Sequence, residues 1–259
     1  MHKPITVIGE VLENRMVSDS MYLLEISLHQ QSGFLPGQFC MVNWVEQPTT
    51  FGRPLSILAC EDTKMQLLYK AVGSGTNRLA STNSGQQLEL LTPLGNPFPK
   101  PDSTAPHILI AGGVGLPPML SWSEIYGQSA DVLCFGGRDG GDIPWELLSD
   151  NWLVSVDNNM NIPEGKKVFH GNVIEMLKSM ELPENATVLS CGPTPLLQAV
   201  KKQATENSWK CFVSVEERMG CGFGVCRGCV VPTVAGSYKT ACKDGPVFNA
   251  NDIKIGDEL

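Results

Sequence analysis

Four cysteines near the end of the chain restrict its fold more than any other feature. Cys221, Cys226, Cys229 and Cys242 run in the order C-x4-C-x2-C-x12-C. Four thiolates are the ligand set of a [2Fe–2S] cluster, and the first three follow the plant-type ferredoxin spacing, while the fourth arrives sooner. A loop that wraps a cluster needs backbone with φ > 0 and N–H groups close to sulfur, which Gly222, Gly224 and Gly228 would permit. Two other readings compete. A structural zinc site would use the C-x2-C pair but wants a second one, and a disulfide loop would need an oxidising compartment that nothing else here suggests.

The remaining five cysteines are Cys40, Cys60, Cys134, Cys191 and Cys211, and all but Cys191 sit in apolar runs that read as core. The chain has 259 residues, 42% hydrophobic and 18% charged, as expected of a globular protein with two domains and a small third. Its formal charge of −8, with no basic stretch, argues against nucleic acid and anionic membrane as partners. The start, Met1-His2-Lys3-Pro4-Ile5-Thr6-Val7, reads directly as a strand without an apolar leader region. The most apolar window, 107–122, is broken by Gly112, Gly113, Gly115, Pro117 and Pro118, too often for a bilayer span. The expected location is cytoplasmic.

Residues 5–13, 21–27, 38–43, 54–59, 65–71 and 87–91 read as short strands separated by turn clusters, with no helix-length pattern. Six such strands predict a small closed antiparallel barrel. The proline-rich run 96–102 marks a domain boundary. Strand-like runs at 107–111, 132–136, 153–156, 187–191 and 211–215 then alternate with helical candidates at 118–126, 144–148, 173–180 and 194–207. That rhythm predicts a doubly wound parallel sheet. The expected fold class is therefore multi-domain β plus α/β, divided into 1–101, 102–213 and 214–259. The last segment has little periodicity, so the metal is expected to hold it together.

Arg53-Pro54-Leu55-Ser56 is expected to place a guanidinium and a hydroxyl on one strand face, suited to a flavin nucleotide's phosphate and ring edge. A surface Arg and a core-edge Ser would explain the same residues. Lys70-Ala71-Val72-Gly73-Ser74-Gly75-Thr76 is a glycine turn able to present N–H groups to an anion, or an ordinary hairpin turn. Gly112-Gly113-Val114-Gly115 follows a strand and opens a helix, the context for phosphate at a helix N-terminus. The run lacks the last glycine of the dinucleotide fingerprint. Cys191-Gly192-Pro193 ends another strand and could face a nicotinamide ring, or be a tight turn with a buried thiol. Asp157 is a ribose partner or a solvated loop acid. The histidines His2, His29, His107 and His170 have no metal-ligand spacing, and no Ser/His/Asp arrangement is evident.

In this order, Arg53–Ser56, the Gly73–Thr76 turn, the Gly112–Gly115 loop and Cys191–Pro193 resemble the ferredoxin–NADP reductase superfamily. The segments 214–222 and 242–248, SVEERMGCG and CKDGPVF, resemble one branch of it, the electron-transfer subunits of class 1B dihydroorotate dehydrogenases. Leu55 favours that branch, since the wider superfamily often has an aromatic residue there. The segment Asp157-Asn158-Asn159 is less acidic than the version common in relatives, so NADH and NADPH both stay open. The resemblance implies an oxidoreductase subunit of pyrimidine biosynthesis. FAD would be held by Arg53, Pro54, Leu55, Ser56, Lys70, Ala71, Val72, Gly75 and Thr76. NAD(H) would be held by Gly112, Gly113, Gly115, Cys191, Gly192 and Pro193, with Ser56 and Cys191 at the reacting rings. The four cysteines would ligate the [2Fe–2S] cluster. The implied partner is an FMN-containing catalytic subunit that oxidises dihydroorotate to orotate, in a heterotetramer of two plus two. Related modules serve hydrogenases, sulfide dehydrogenases or ferredoxin:NADP complexes, and a zinc-stabilised adaptor without redox activity is the remote alternative.

Overall fold

In the computed structural model, which describes residues 3–101 and 105–256, alternating apolar residues close the first part of the chain into a barrel. His2, and Asp102 at the expected domain boundary, lie outside the described residues. The barrel strands are β1 (Ile5–Met16), β2 (Met21–Leu28), β3 (Phe39–Trp44), β4 (Arg53–Glu61), β5 (Lys64–Lys70) and β6 (Gln87–Leu94). They pair antiparallel around the ring in the order β1-β2-β5-β4-β3-β6. Val11, Ile26, Val42, Ile57, Leu67 and Leu90 fill the interior, each fully buried. One element was not expected: the short helix α1 (Ser74–Ala80) crosses one end of the barrel. Leu79 anchors it in the core, and Asn14 Nδ2 donates to the Leu79 carbonyl at 2.8 Å. Seven residues are too few to leave a helical period in the sequence.

The second sheet contains β7 (His107–Gly112), β8 (Val132–Gly137), β9 (Trp152–Val156), β10 (Phe169–His170), β11 (Thr187–Cys191) and β12 (Lys210–Ser214), all parallel. Helix α2 (Leu116–Tyr126) covers one face, while α3 (Val173–Lys178) and α4 (Thr194–Glu206) cover the other. Alternation on β7 serves both faces, with Ile108 and Ile110 toward α3 and α4 and Leu109 and Ala111 toward α2. The helix expected at 144–148 is only a 3-10 turn, Trp145–Leu147, because Leu148 returns to extended backbone. The His107 ring lies tilted against Trp122 and its Nδ1 is 3.2 Å from the buried carboxylate of Asp131, a structural role. Among the described residues, no helix is long and apolar enough to cross a membrane.

The last segment departs most from expectation. It holds a hairpin of β13 (Val230–Pro232) and β14 (Tyr238–Thr240), then β15 (Val247–Asn249), which adds antiparallel to the edge of the main sheet beside β12. Val231, Ala241, Phe248, Ala250, Ile253 and Ile255 are buried, in one core with Ile108, Leu197 and Val213. Metal is therefore not all that holds this segment: sparse apolar residues suffice because they dock on a core already built. The same core reaches Phe39, Met41 and Leu94 of the barrel, and a second core joins Met21, Leu58 and Leu68 to Leu116 and Met119 of α2. The barrel, the sheet and the last segment are thus packed on one another.

Candidate functional site

Each expected site residue lies where strand ends and turns converge. Arg53 opens β4 opposite Val42, and Pro54, Leu55 and Ser56 follow opposite Met41, Cys40 and Phe39. The expectation that Arg53 and Ser56 share a strand face fails, because residues three apart on a strand point to opposite sides. Leu55 faces inward and is buried in the barrel core, leaving Pro54 and Ser56 to the outer face. Arg53 folds over the start of α1 instead. A Cβ at Gly75 would collide with its guanidinium, so glycine is what admits it. Its Nη1 donates to the carbonyls of Phe51 (2.8 Å) and Gly52 (3.3 Å), and among the described residues no carboxylate pairs with it. A cation beside the positive end of a helix suits a phosphate. The turn behaves differently from the expected nest, since the N–H groups of Val72 and Gly73 both donate to Thr76 Oγ1 (2.9 and 3.1 Å). Val72 is exposed, and Ala71 N–H donates to the Ser20 carbonyl at 3.3 Å.

The residues expected for a nucleotide assemble from the carboxyl ends of β7 and β11, which lie side by side with Ala111 opposite Cys191. Gly113–Gly115 form a 3-10 turn leading into α2. A Cβ at Gly115 would strike the Cys191 carbonyl and the Gly192 nitrogen, so this glycine lets the two turns touch. Gly113, by contrast, has φ +53 and nothing within 4 Å of where a Cβ would be, which leaves its backbone open to an approaching group. It lines a cleft of about 680 Å³ with Gly137, Arg138, Ser155, Asp157 and Pro193. The Ser155 hydroxyl in that wall is buried without a hydrogen-bond partner. Burial pushes the Cys191 thiol up to about 12, despite a hydrogen bond with Ser214 that lowers it, and the Glu216 carboxylate adds to the rise. Cys191 is accordingly a protonated, uncharged thiol at neutral pH.

A second cavity, about 570 Å³, lies where all three parts meet. Arg53 and Pro54 line it from the barrel, Gly192 and Pro193 from the sheet, and Glu216 and Met219 from the lead into the cysteine loop.

The cysteine sulfurs gather in two pairs. Cys229 and Cys242 Sγ are 3.2 Å apart, and Cys242 N–H also donates to Cys229 Sγ at 3.4 Å. Cys226 N–H donates to Cys221 Sγ at 3.4 Å. Burial alone would raise the Cys221 thiol, but N–H groups of Cys226, Phe223 and Val225 and the Cys226 side chain outweigh it and hold it at about 6. Cys242 is pushed up to about 12 by burial and by its neighbour Cys229. Two pairs with amides aimed at sulfur fit a dinuclear cluster. Gly222 and Gly224 adopt φ +80 and +89, as the loop requires. Gly228 does not; Arg227, at φ +52, makes the last turn. Cys226 is exposed, beside the exposed apolar residues Phe223 and Val225.

This loop falls in a recognised family. Residues 216–254 match the iron-sulfur cluster binding domain of dihydroorotate dehydrogenase B. Over 251 residues the chain is 33% identical to the dihydroorotate dehydrogenase B (NAD(+)), electron transfer subunit of Clostridium perfringens, covering 95% of this chain and 97% of that protein. The chain belongs to the dihydroorotate dehydrogenase B electron transfer subunit family. The subunit of the same name from Listeria monocytogenes serovar 1/2a is 31% identical, across 95% of this chain and 98% of its own length. The solved structure of an NADH-dependent reduced ferredoxin-NADP oxidoreductase shares the fold, with a TM-score of 0.78 at 22% identity over 95% of this chain and 90% of that one.

Sequence reasoning missed several residues that this family member brings to the two cavities. Arg138, Asp142 and Ser155 line the cleft, and Glu216 and Arg218 line the cavity. The rule that ligands sit at the carboxyl ends of strands would have pointed to Arg138, which follows β8 directly. Nothing local marks Asp142.

Proposed function

We propose that this chain carries electrons between NAD(H) and a partner subunit that oxidises dihydroorotate to orotate, with FAD and a [2Fe–2S] cluster as its resident groups. One observation carries the reading: Arg53 and Pro54 of the expected flavin set, Gly192 and Pro193 of the expected nucleotide set, and Glu216 and Met219 of the approach to the cysteines line one cavity. Residues so placed would hold a flavin, a group that would supply two-electron hydride exchange on the nucleotide side and one-electron exchange on the cluster side.

The chain's own residues supply the setting. Arg53 over the N-terminus of α1 offers a site for the flavin's phosphates, supported by Ala71, Val72, Gly75 and Thr76, to which Lys70 adds its backbone only, since its ammonium is held by Asp142. Pro54 and Ser56 offer the outer face of β4 to the ring, and Leu55 contributes backbone there while its side chain closes the barrel. Gly112, Gly113, Gly115, Gly192 and Pro193 shape a nucleotide site without side-chain obstruction. Cys191, protonated and uncharged, ends β11 just before Gly192 and Pro193 and would stand beside the nicotinamide without adding negative charge there. Cys221, Cys226, Cys229 and Cys242 hold the cluster in two pairs, with exposed Cys226 toward the partner.

These roles divide the chain into a flavin part (1–101), a nucleotide part (102–213) and a cluster part (214–259). The partner is an FMN-bearing catalytic subunit, two copies with two of this chain. Purification of the tagged chain from its native cells without oxygen, with the bound subunit and the assembly weighed by native mass spectrometry, tests this. The reading expects an FMN-bearing dihydroorotate-oxidising subunit in a two-plus-two complex. A hydrogenase or ferredoxin-linked subunit in its place would overturn the partner assignment.

A further inference from the structure

We infer that Asp142 is a positioning residue for the nucleotide, holding the guanidinium of Arg138 in the wall of the cleft so that its outer edge meets an anionic phosphate group. The inference rests on the nucleotide reading above and assigns a residue that reading does not use. Asp142 ends a 3-10 turn, Gly140–Asp142, just after β8, and its side chain is only 8% exposed. Its Oδ2 accepts from Arg138 Nε at 2.6 Å and its Oδ1 from Arg138 Nη2 at 3.0 Å. This two-point fork fixes the guanidinium plane as well as its position.

The carboxylate is itself immobilised from the barrel side. Lys70 Nζ at 3.4 Å and Ser20 Oγ at 3.2 Å both donate to its Oδ1. The turn that carries it is pinned too. Asp139 Oδ1 accepts from the N–H groups of Gly141 (2.9 Å) and Asp142 (3.3 Å), and Asp19 N–H donates to the Gly141 carbonyl at 2.9 Å. Arg138 projects from this fixed base with its side chain 70% exposed, lining the cleft beside Gly113. The fork occupies Nε and Nη2, and Nη1 remains to donate into the cleft. An arginine so restrained gives up less side-chain freedom on binding than a free one, which is how a buried acid can raise affinity without touching the ligand.

A plain structural latch would contain the same bonds, so the test must separate the two. The full-length protein with its FAD and cluster is mixed rapidly with NADH without oxygen, and loss of the oxidised flavin's absorbance is followed. Asp142→Asn should raise the NADH concentration for half-maximal reduction rate about tenfold, with the limiting rate at saturation moving far less. Arg138→Gln, at an exposed side chain, should give a similar shift. In that background Asp142→Asn should add no more than about twofold, because its effect passes through Arg138. Unchanged NADH dependence in either single variant, or shifts that multiply in the double variant, would overturn the inference. Flavin in the parent protein that NADH does not bleach would overturn the nucleotide reading itself, and the inference with it.

Discussion

At the scale of single residues, Asp142 shows how far a local environment can carry a side chain from its ordinary behaviour. The Arg138 hydrogen bond holds its carboxyl down at about 2, against a burial cost that works the other way, with the charges of Lys70 and Arg138 adding to the lowering. Because the folded value lies below the unfolded one, the stabilisation is complete above the ordinary carboxyl range and is lost as pH falls through about 2. Asp142→Asn should therefore cost on the order of 1 kcal/mol near neutrality, because solvent screens the exposed Arg138 partner, and the difference should shrink steadily from about pH 4 downward. Urea midpoints of the two proteins across that range check this; a gap independent of pH would mean that the ion pairs contribute nothing. Gly115 makes a different point at the same scale. Its sequence context suggested contact with phosphate, whereas its missing side chain lets the Cys191–Gly192 turn lie against it.

At the scale of elements, β15 changes the account of the cysteine segment. Phe248 pairs with Val213, Val215 N–H donates to the Pro246 carbonyl at 3.0 Å, and Ala250 N–H to the Cys211 carbonyl at 2.9 Å. These bonds, and the burial of Phe248 and Ile253, require no metal. Removing the cluster, by Cys226→Ser or by a chelator, should free the amides of 221–228 to exchange while those of 247–250 keep their protection. Hydrogen exchange measured by mass spectrometry distinguishes the two stretches; loss of protection in both would show that the cluster holds the whole segment. A strand of three residues leaves no period to read, which is why β15 and α1 were invisible in the sequence. The longer barrel strands and the alternation of strand and helix were legible, because each run is long enough to show its buried face.

For the whole molecule, the legible part of the site was the part fixed by chemistry at short range. Cys221, Cys226 and Cys229 carry their proposed ligand role in their spacing, and Gly112–Gly115 carries its turn in its composition. The contact of Arg53 with Gly75 arises only when the barrel closes, and the meeting of Lys70 with Asp142 and Arg138 only when the barrel packs on α2 through their shared core. The same packing places the lead-in to the cysteine loop, Glu216 to Met219, in one cavity with Pro54 and Pro193. That convergence is the reason to read the chain as one electron path, entering at the nucleotide cleft and leaving at exposed Cys226. The most direct test replaces Cys226 with Ser and follows both ends at once, flavin bleaching by NADH and dihydroorotate-linked turnover with the catalytic partner. The account predicts that bleaching persists while turnover falls by at least about a hundredfold. Turnover at the parent rate in Cys226→Ser would contradict it.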